Sequence, residues 1–119
     1  MAHSAQQLEM TRGRSTVFDI EAKTAGGSVL ALIDGDSLQF AAATEPGQTP
    51  LFIKTSDSSE DGIVITDAEA GEATLEIAAE DTASLSAKTV LVWELVLVRD
   101  IRTYSLGFGR LTVRLGVVE

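Results

Sequence analysis

The sequence of 119 residues has no cysteine and a single histidine, His3, close to its start. Without cysteine the chain forms no disulfide, no thiolate metal site and no thiol nucleophile. With one terminal imidazole it lacks the proton shuttle of Ser-His-Asp and Cys-His catalysis and the ligands of a histidine-rich zinc site. We therefore expect a protein that is not an enzyme and that holds no cofactor.

Long apolar runs and clustered positive charge are also missing. The longest apolar stretch, residues 90–98, is interrupted by Glu94 and is far shorter than the ~20 residues of a membrane-spanning helix. Residues 1–10 have neither the basic start nor the apolar centre of a secretory signal. The chain has 18 acidic and 9 basic residues, and Lys54 is the one base in the acid-rich residues 34–81. Such a field repels phosphates and anionic lipids, so we expect neither a nucleic acid nor a membrane as partner.

The sequence does have a series of short segments in which apolar and polar residues alternate, and these predict an all-β protein. Leu38, Phe40 and Ala42, for example, share one side of a predicted strand. Turn residues separate about seven to nine such segments, which is typical of a β-sandwich. The pattern predicts one sandwich domain over residues 12–119, preceded by a polar arm, residues 1–11.

One short helical turn is predicted over residues 80–85. Glu80 or Asp81 lies near its start, where a carboxylate accepts hydrogen bonds from free backbone N–H groups. Gly107 and Gly109 lack the third glycine and the following helix of a nucleotide-binding loop, so they predict a hairpin or a β-bulge.

The strongest predicted strand covers residues 89–99. One of its faces is fully apolar, and the other is apolar except for Glu94. The first face carries Leu91, Trp93, Leu95 and Leu97, and the second carries Val90, Val92, Glu94, Val96 and Val98. A strand that is apolar on both faces lies in the centre of its sheet or meets another subunit, and Glu94 then needs a partner or a rim position.

Two features suggest a ligand-binding module as the alternative function. Residues 57–62 have the oxygen spacing of a calcium loop, but Ala68 stands where a bidentate glutamate is required, so an acidic hairpin turn is the favoured interpretation. A looser Ca²⁺ site that adds Asp34 and Asp36 stays open. Trp93 has the chemistry of a glycan-stacking platform, although its apolar neighbours favour a core position.

The order of several short pieces along the chain carries a family resemblance. The pieces are Arg12-Gly13-Arg14-Ser15, Ile53-Lys54-Thr55-Ser56, Gly62-Ile63-Val64-Ile65-Thr66-Asp67, Ala70-Gly71-Glu72-Ala73-Thr74-Leu75, Glu80-Asp81-Thr82-Ala83 and Gly109-Arg110-Leu111-Thr112-Val113. Over residues 11–118 the chain resembles a family of small phage proteins that are similar to the N-terminal immunoglobulin-like domain of phage baseplate upper proteins.

The resemblance implies an immunoglobulin-like β-sandwich that is a structural component of a bacteriophage particle. Such a module is made in the bacterial host cytoplasm and acts in the virion, in a tail, baseplate, neck or head-surface assembly, through contacts with other phage structural proteins. It brings no catalytic residues. The longer relatives continue into a linker and a distal domain that carries receptor-binding proteins. Nothing follows the sandwich in this sequence, so we expect an adaptor, ring or capsid-surface role as readily as receptor docking.

Two segments are predicted to form interfaces in a homo-oligomer, a trimer or a hexamer. The arm is expected to reach a neighbouring subunit by strand addition, and the second face of the strand at residues 89–99 leaves apolar area to be covered. The predicted interface residues are Leu8, Met10, Val92, Glu94, Val96 and Val98.

Overall fold

The computed structural model describes residues 5–23, 28–57, 62–85 and 88–115, which form two β-sheets around a shared core. Within these residues the elements are β1 (Ala5–Thr11), β2 (Thr16–Glu21), β3 (Ser37–Ala43), β4 (Phe52–Thr55), β5 (Ile63–Asp67), β6 (Glu72–Ile77), α1 (Ala79–Thr82), β7 (Thr89–Arg99) and β8 (Arg102–Arg114). The all-β class, the number of strands and the short helical turn are as predicted.

The strand order is that of an immunoglobulin-like sandwich. The five-stranded sheet has the order β1-β8-β7-β3-β4, and the three-stranded sheet has the order β2-β6-β5. Variable-type immunoglobulin domains place strands G, F, C and C′ in one sheet and B, E and D in the other. By position along the chain, β8, β7, β3 and β4 correspond to the first group, and β2, β6 and β5 correspond to the second.

Apolar side chains from both sheets fill the core. Leu75 and Ile77 of β6 face Leu91 of β7 and Leu111 of β8, and all four are fully buried. Because the chain has no cysteine, the disulfide that joins the two sheets of antibody domains is absent. Three aromatic rings pack in the core instead. The Trp93 ring stacks on Phe40 with centroids 5.4 Å apart, and Phe52 lies 6.3 Å from Phe40 on centroids.

The first described strand differs from the predicted arm. Residues Ala5–Thr11 form β1, which pairs in parallel with β8 of the same chain, from Ala5 opposite Phe108 to Thr11 opposite Arg114. Met10 lies opposite Val113 and is only 3% exposed, so this segment is an edge strand of the sandwich. Residues 1–4 of the predicted arm lie outside the described residues.

The C-terminal strand β8 is continuous through Gly107 and Gly109, where the sequence predicted either a hairpin or a β-bulge. β8 runs through both glycines, and its pairing with β7 shifts by one residue between Leu95 opposite Gly107 and Val96 opposite Ser105. Leu106 is the extra residue, and both Leu106 and Gly107 are buried, as a β-bulge allows. The hairpin turn lies earlier, at Asp100, whose φ is 57°.

A local hydrogen bond fixes the start of α1, and a glycine allows the tight turn between β5 and β6. The backbone N–H of Ala78 donates to the Asp81 carboxylate at 2.7 Å, which confirms the predicted acidic cap of the helical turn. Gly71 has a φ of +67° in the turn between β5 and β6, and a Cβ there would lie 2.5 Å from the Leu30 carbonyl oxygen. Helix α1 has four residues, and no helix of the described chain has the length and apolar character to cross a membrane.

Candidate interaction surface

Strand β7 separates an inward face from an outward face, as its sequence predicts. Leu91, Trp93, Leu95 and Leu97 are between 0% and 7% exposed and face the core. The alternate residues point away from the three-stranded sheet because successive side chains of a strand lie on opposite faces. Val92, Val96 and Val98 are half-buried, whereas Glu94 is exposed. Glu94 therefore occupies a solvated position in the middle of the sheet, and no carboxylate is buried in β7.

The strand register joins these outward residues to those of the neighbouring strands. Glu94 lies opposite Ala41 of β3 on one side and Phe108 of β8 on the other. Ala41 in turn lies opposite Ile53 of β4, which is 52% exposed. We call the central part of this surface the outer face, and its residues are Gln39, Ala41, Ile53, Val92, Glu94, Val96, Val98, Phe108 and Arg110. Polar side chains adjoin it, since Val98 lies between Ser37 and Thr103 and Val96 lies beside Ser105.

A groove of about 680 Å³ crosses the outer face beside the β3–β4 loop. Val92, Glu94, Phe108 and Arg110 line its floor, and residues 45–48 and 50 form one wall. That wall holds both prolines of the chain, Pro46 and Pro50, whose fixed φ angles limit its conformations. The groove thus presents apolar side chains with Glu94 and Arg110 on its floor, and Glu45 lies on its stiff wall.

Neither charge of the outer face is paired within the described part of the chain. Glu94 and Arg110 are both exposed, and neither forms an ion pair with another described residue. They lie on adjacent strands, since Arg110 is opposite Val92 and Phe108 is opposite Glu94. A partner surface that meets the outer face can therefore pair with both charges.

Leu8 and Met10, the two predicted interface residues of the arm, point the other way. They lie opposite Leu111 and Val113, which are fully buried, and opposed residues of neighbouring strands point to the same side of the sheet. Met10 belongs to the core, and Leu8 packs against it partly buried. In this conformation their side chains contact the chain's own core rather than a neighbouring subunit.

Arg99 and Asp36 form an ion pair at the end of β7 that the sequence pattern did not predict. Arg99 donates from Nε and one terminal nitrogen to the two oxygens of Asp36, both at 2.8 Å, and the Asp36 side chain is 1% exposed. The Ile33 N–H also donates to Asp36 at 2.8 Å. The hydrogen bond from Arg99, helped by that from Ile33, holds the pKa of the Asp36 carboxyl below its ordinary value although burial opposes this. The two residues are 63 positions apart, so no local motif signals the pair.

The candidate calcium ligands are only partly within the described residues. Residues 58–61 of the predicted acidic turn lie outside them. Asp57 accepts a hydrogen bond from the Ser37 hydroxyl at 2.7 Å, Asp34 is exposed, and Asp36 is bound by Arg99. Among the described residues, no three His, Cys, Asp or Glu side chains form a group that could hold a metal ion. The structure thus assigns Asp57 and Asp36 other partners.

Trp93 is a core residue, as its neighbours predict. The side chain is 7% exposed and stacks on Phe40, so it presents no ring face on which a sugar could stack. Its indole N–H is buried and has no acceptor among the described residues. A buried donor without an acceptor costs free energy of folding.

Comparison with known proteins assigns no family to the chain. No family model matches the sequence, and no curated protein matches it. Among solved structures, murine CRIg is similar over 98% of this chain and 97% of its own, with 8% identity and a TM-score of 0.43. A nucleoside hydrolase-related hypothetical protein from Saccharophagus degradans, described as associated with carbohydrate metabolism, matches 95% of this chain with 15% identity and a TM-score of 0.31. This chain spans 23% of the length of that protein. The immunoglobulin-like fold described above therefore rests on the strand order and on the packing of the two sheets.

Proposed function

We propose that this protein is a non-enzymatic structural component of a bacteriophage particle that assembles in the virion through the outer face. Its partners are further copies of the same chain, in a trimer or a hexamer, and other phage structural proteins. The phage assignment is supported by the sequence resemblance, and the non-enzymatic assignment by the lack of cysteine and of any histidine besides His3. The assignment of the surface is supported by the apolar outer face itself.

The observation that carries the proposal is the amount of apolar side chain that the outer face leaves exposed. Ile53 is 52% exposed and Phe108 is 39% exposed, and Val92, Val96 and Val98 lie half-buried beside them. Contiguous apolar surface on a soluble domain commonly marks a site of protein contact. An aromatic side chain near the centre of such a patch is also typical of interfaces.

The distribution of charge also favours the outer face as the interface. The chain carries a net charge of −9, so two copies repel each other over most of their approach directions. The outer face contains one acid, Glu94, and one base, Arg110, and the groove wall beside it adds Glu45. This surface thus carries only a small part of the net charge of the chain. Two copies that meet across it repel each other less than elsewhere, and Glu94 of one copy can pair with Arg110 of another.

Absolute mass in solution tests the proposal, measured by size-exclusion chromatography with light scattering over a range of protein concentrations. We compare the wild-type chain with Val96→Asp on the outer face and with Val64→Asp, which places the same charge on the three-stranded sheet. Val64 is 41% exposed and follows the buried Ile63, so it points away from the core.

The proposal predicts that the wild-type chain forms a discrete trimer or hexamer, that Val96→Asp is a monomer and that Val64→Asp keeps the wild-type mass. Circular dichroism and the thermal midpoint show whether both variants remain folded. A Val96→Asp protein that is folded and has the wild-type mass would remove the outer face as the interface.

A further inference from the structure

The three-stranded sheet ends at β2 without a further strand among the described residues. Immunoglobulin domains of the constant type place strand A beside strand B in this sheet. Here β1, the first strand of the chain, pairs with β8 of the other sheet, and β2 pairs only with β6. The second edge of β2 therefore presents backbone N–H and C=O groups that another strand can pair with.

A cleft of about 320 Å³ opens between the two sheets beside this edge. Its apolar lining includes Leu8 of β1, Phe18 and Ile20 of β2, and Leu95 and Leu106 of the other sheet. Phe18 and Ile20 are only partly buried, although they point inward. The residues opposite them on β6, Leu75 and Ala73, are 0% and 2% exposed. The sandwich is thus incompletely closed on the β2 side, and apolar area remains to be covered there.

The other outermost strands, β1, β4 and β5, share this feature only in part. Phe52 of β4 is 8% exposed and Ile63 of β5 is 1% exposed, whereas Ile65 of β5 and Leu8 of β1 are partly buried, and Leu8 lines the same cleft. A strand added beside β4 or β5 does not enter the cleft, because no residue of either strand lines it. A strand added beside β2 gains hydrogen bonds and also buries side chains in the cleft.

The charges beside the β2 edge are predominantly acidic. Asp19 and Glu21 are the exposed outward residues of β2 next to Val17, and Glu72 and Glu76 lie opposite on β6. Lys23, which follows β2, forms an ion pair with Glu21 at 3.0 Å. Side chains on neighbouring strands interact when they lie opposite each other, and opposite charges are favoured there.

We propose that the β2 edge binds an extended segment of another polypeptide in which apolar and basic side chains alternate. The segment continues the three-stranded sheet by backbone hydrogen bonds to β2. Its apolar side chains enter the cleft between Phe18, Ile20 and Leu106, and its lysine or arginine side chains lie beside Asp19 and Glu21. This site is separate from the outer face and does not depend on the function proposed for that face.

The test uses a synthetic peptide as long as β2 that alternates lysine and isoleucine, added to the full-length ¹⁵N-labelled chain. Amide chemical shifts locate binding, and a titration gives the dissociation constant. The expected result is that the amides of β2 shift most and exchange with solvent more slowly in the complex. Strongest perturbation of β1, β4, β5 or the outer face would overturn the proposal.

Two control peptides separate strand addition from adsorption of a cation to an acidic protein. One has the same composition with the isoleucines adjacent to each other, and the other has alternate backbone amides methylated so that they cannot donate to β2. We expect each to bind at least about tenfold more weakly than the alternating peptide, which is about 1.4 kcal/mol. Equal affinity of the three peptides would contradict strand addition.

Variants of the chain test the cleft and the charges separately. A Cβ at Gly107 would lie 3.7 Å from the Trp93 ring, an ordinary contact, so Gly107→Leu fills the cleft from within and should weaken the alternating peptide. The double variant Asp19→Lys with Glu21→Lys should prefer a peptide that alternates glutamate and isoleucine. Unchanged binding and preference in these folded variants would refute the proposed site. Binding that appears only after residues 1–4 are deleted would show that the chain's own N-terminus occupies the edge, and would also overturn the proposal.

Discussion

The outer face of the five-stranded sheet and the opposite surface of the three-stranded sheet arise from the same strand alternation but carry different side chains. The opposite surface, which we call the acidic face, consists of Val17, Asp19, Glu21, Val64, Glu72, Thr74 and Glu76. It has four carboxylates and no base, whereas the outer face has one charge of each sign among apolar residues. The two sheets cover the same core and both expose some apolar side chains, including Val17 and Val64 on the acidic face, but they differ in charge.

Both faces depend on the core between them, and Phe40→Ala is expected to have the largest effect on stability. Phe40 is 1% exposed and packs against both Phe52 and Trp93. Its loss leaves a cavity and should lower the free energy of unfolding by about 3–5 kcal/mol. Urea denaturation at constant m-value measures the change. A loss restricted to the five-stranded sheet, seen as unequal hydrogen exchange of the two sheets, would contradict a shared core.

The Asp36–Arg99 pair joins the end of β7 to the residue before β3 on the core side of the five-stranded sheet, and Asp36→Asn should cost about 2 kcal/mol of stability. The substitution leaves the guanidinium of Arg99 without its carboxylate and weakens the bond from the Ile33 N–H. The thermal midpoint measures the loss. The matched control is Asp19→Asn on the acidic face, which is expected to have little effect because no described residue pairs with Asp19.

The same pair predicts a dependence of stability on pH. Because the folded-state pKa of Asp36 is lowered, the pair stabilises the native state fully above the unfolded pKa of an aspartate, about 3.9. That contribution is lost as the pH falls through the lower folded-state pKa. We expect the stability difference between wild type and Asp36→Asn to shrink on acidification over this range. A constant difference down to the lowest pH would show that the carboxylate charge is not involved.

The two charges of the outer face, Glu94 and Arg110, are expected to affect association between copies more weakly than the core affects stability. Glu94→Arg puts two bases on the face, so association between copies should weaken by about tenfold, or about 1.4 kcal/mol. The double variant Glu94→Arg with Arg110→Glu restores a neutral face and should recover most of the affinity. Sedimentation velocity measures the association constants of the single and the double variant. No recovery in the double variant would mean that the two charges do not meet across the interface.

Addition of Ca²⁺ is expected to have the smallest effect on stability, because we expect no Ca²⁺ to bind the acidic residues. The thermal midpoint should be the same with millimolar Ca²⁺ and with a chelator, since only a ligand bound to the native state raises it. A midpoint that rises with Ca²⁺ and falls with chelator would favour the alternative, a ligand-binding module that uses the acidic turn at residues 57–62 with Asp34 and Asp36.

Sequence patterns predicted the elements whose alternation is regular. The bounds of β7, its two faces and the core position of Trp93 follow from the period of two in residues 89–99. The acidic cap of α1 was also predictable, because Asp81 acts on the backbone three residues before it.

Contacts between distant residues were not predictable in this way. In the parallel pairing of β1 with β8, Ala5 near the start of the chain lies opposite Phe108 near its end. Asp36 and Arg99 are 63 positions apart. Neither contact leaves a local signal in the sequence. Polar residues in 1–11 suggested an arm, whereas the apolar Leu8 and Met10 alternate as an edge strand requires. The same alternation, applied to that segment, is the signal that would have indicated β1.

The most direct test of the outer face is the rate at which a single introduced thiol is labelled, because the chain has no cysteine of its own. Gln39 on the outer face and Val64 on the acidic face are both exposed, and Gln39→Cys leaves the apolar side chains of the outer face in place, so Gln39→Cys and Val64→Cys are a matched pair. If copies associate through the outer face, the thiol at position 39 reacts several-fold more slowly at high protein concentration and equally fast after dilution. Equal labelling rates for the two thiols at every concentration would contradict the proposed interface.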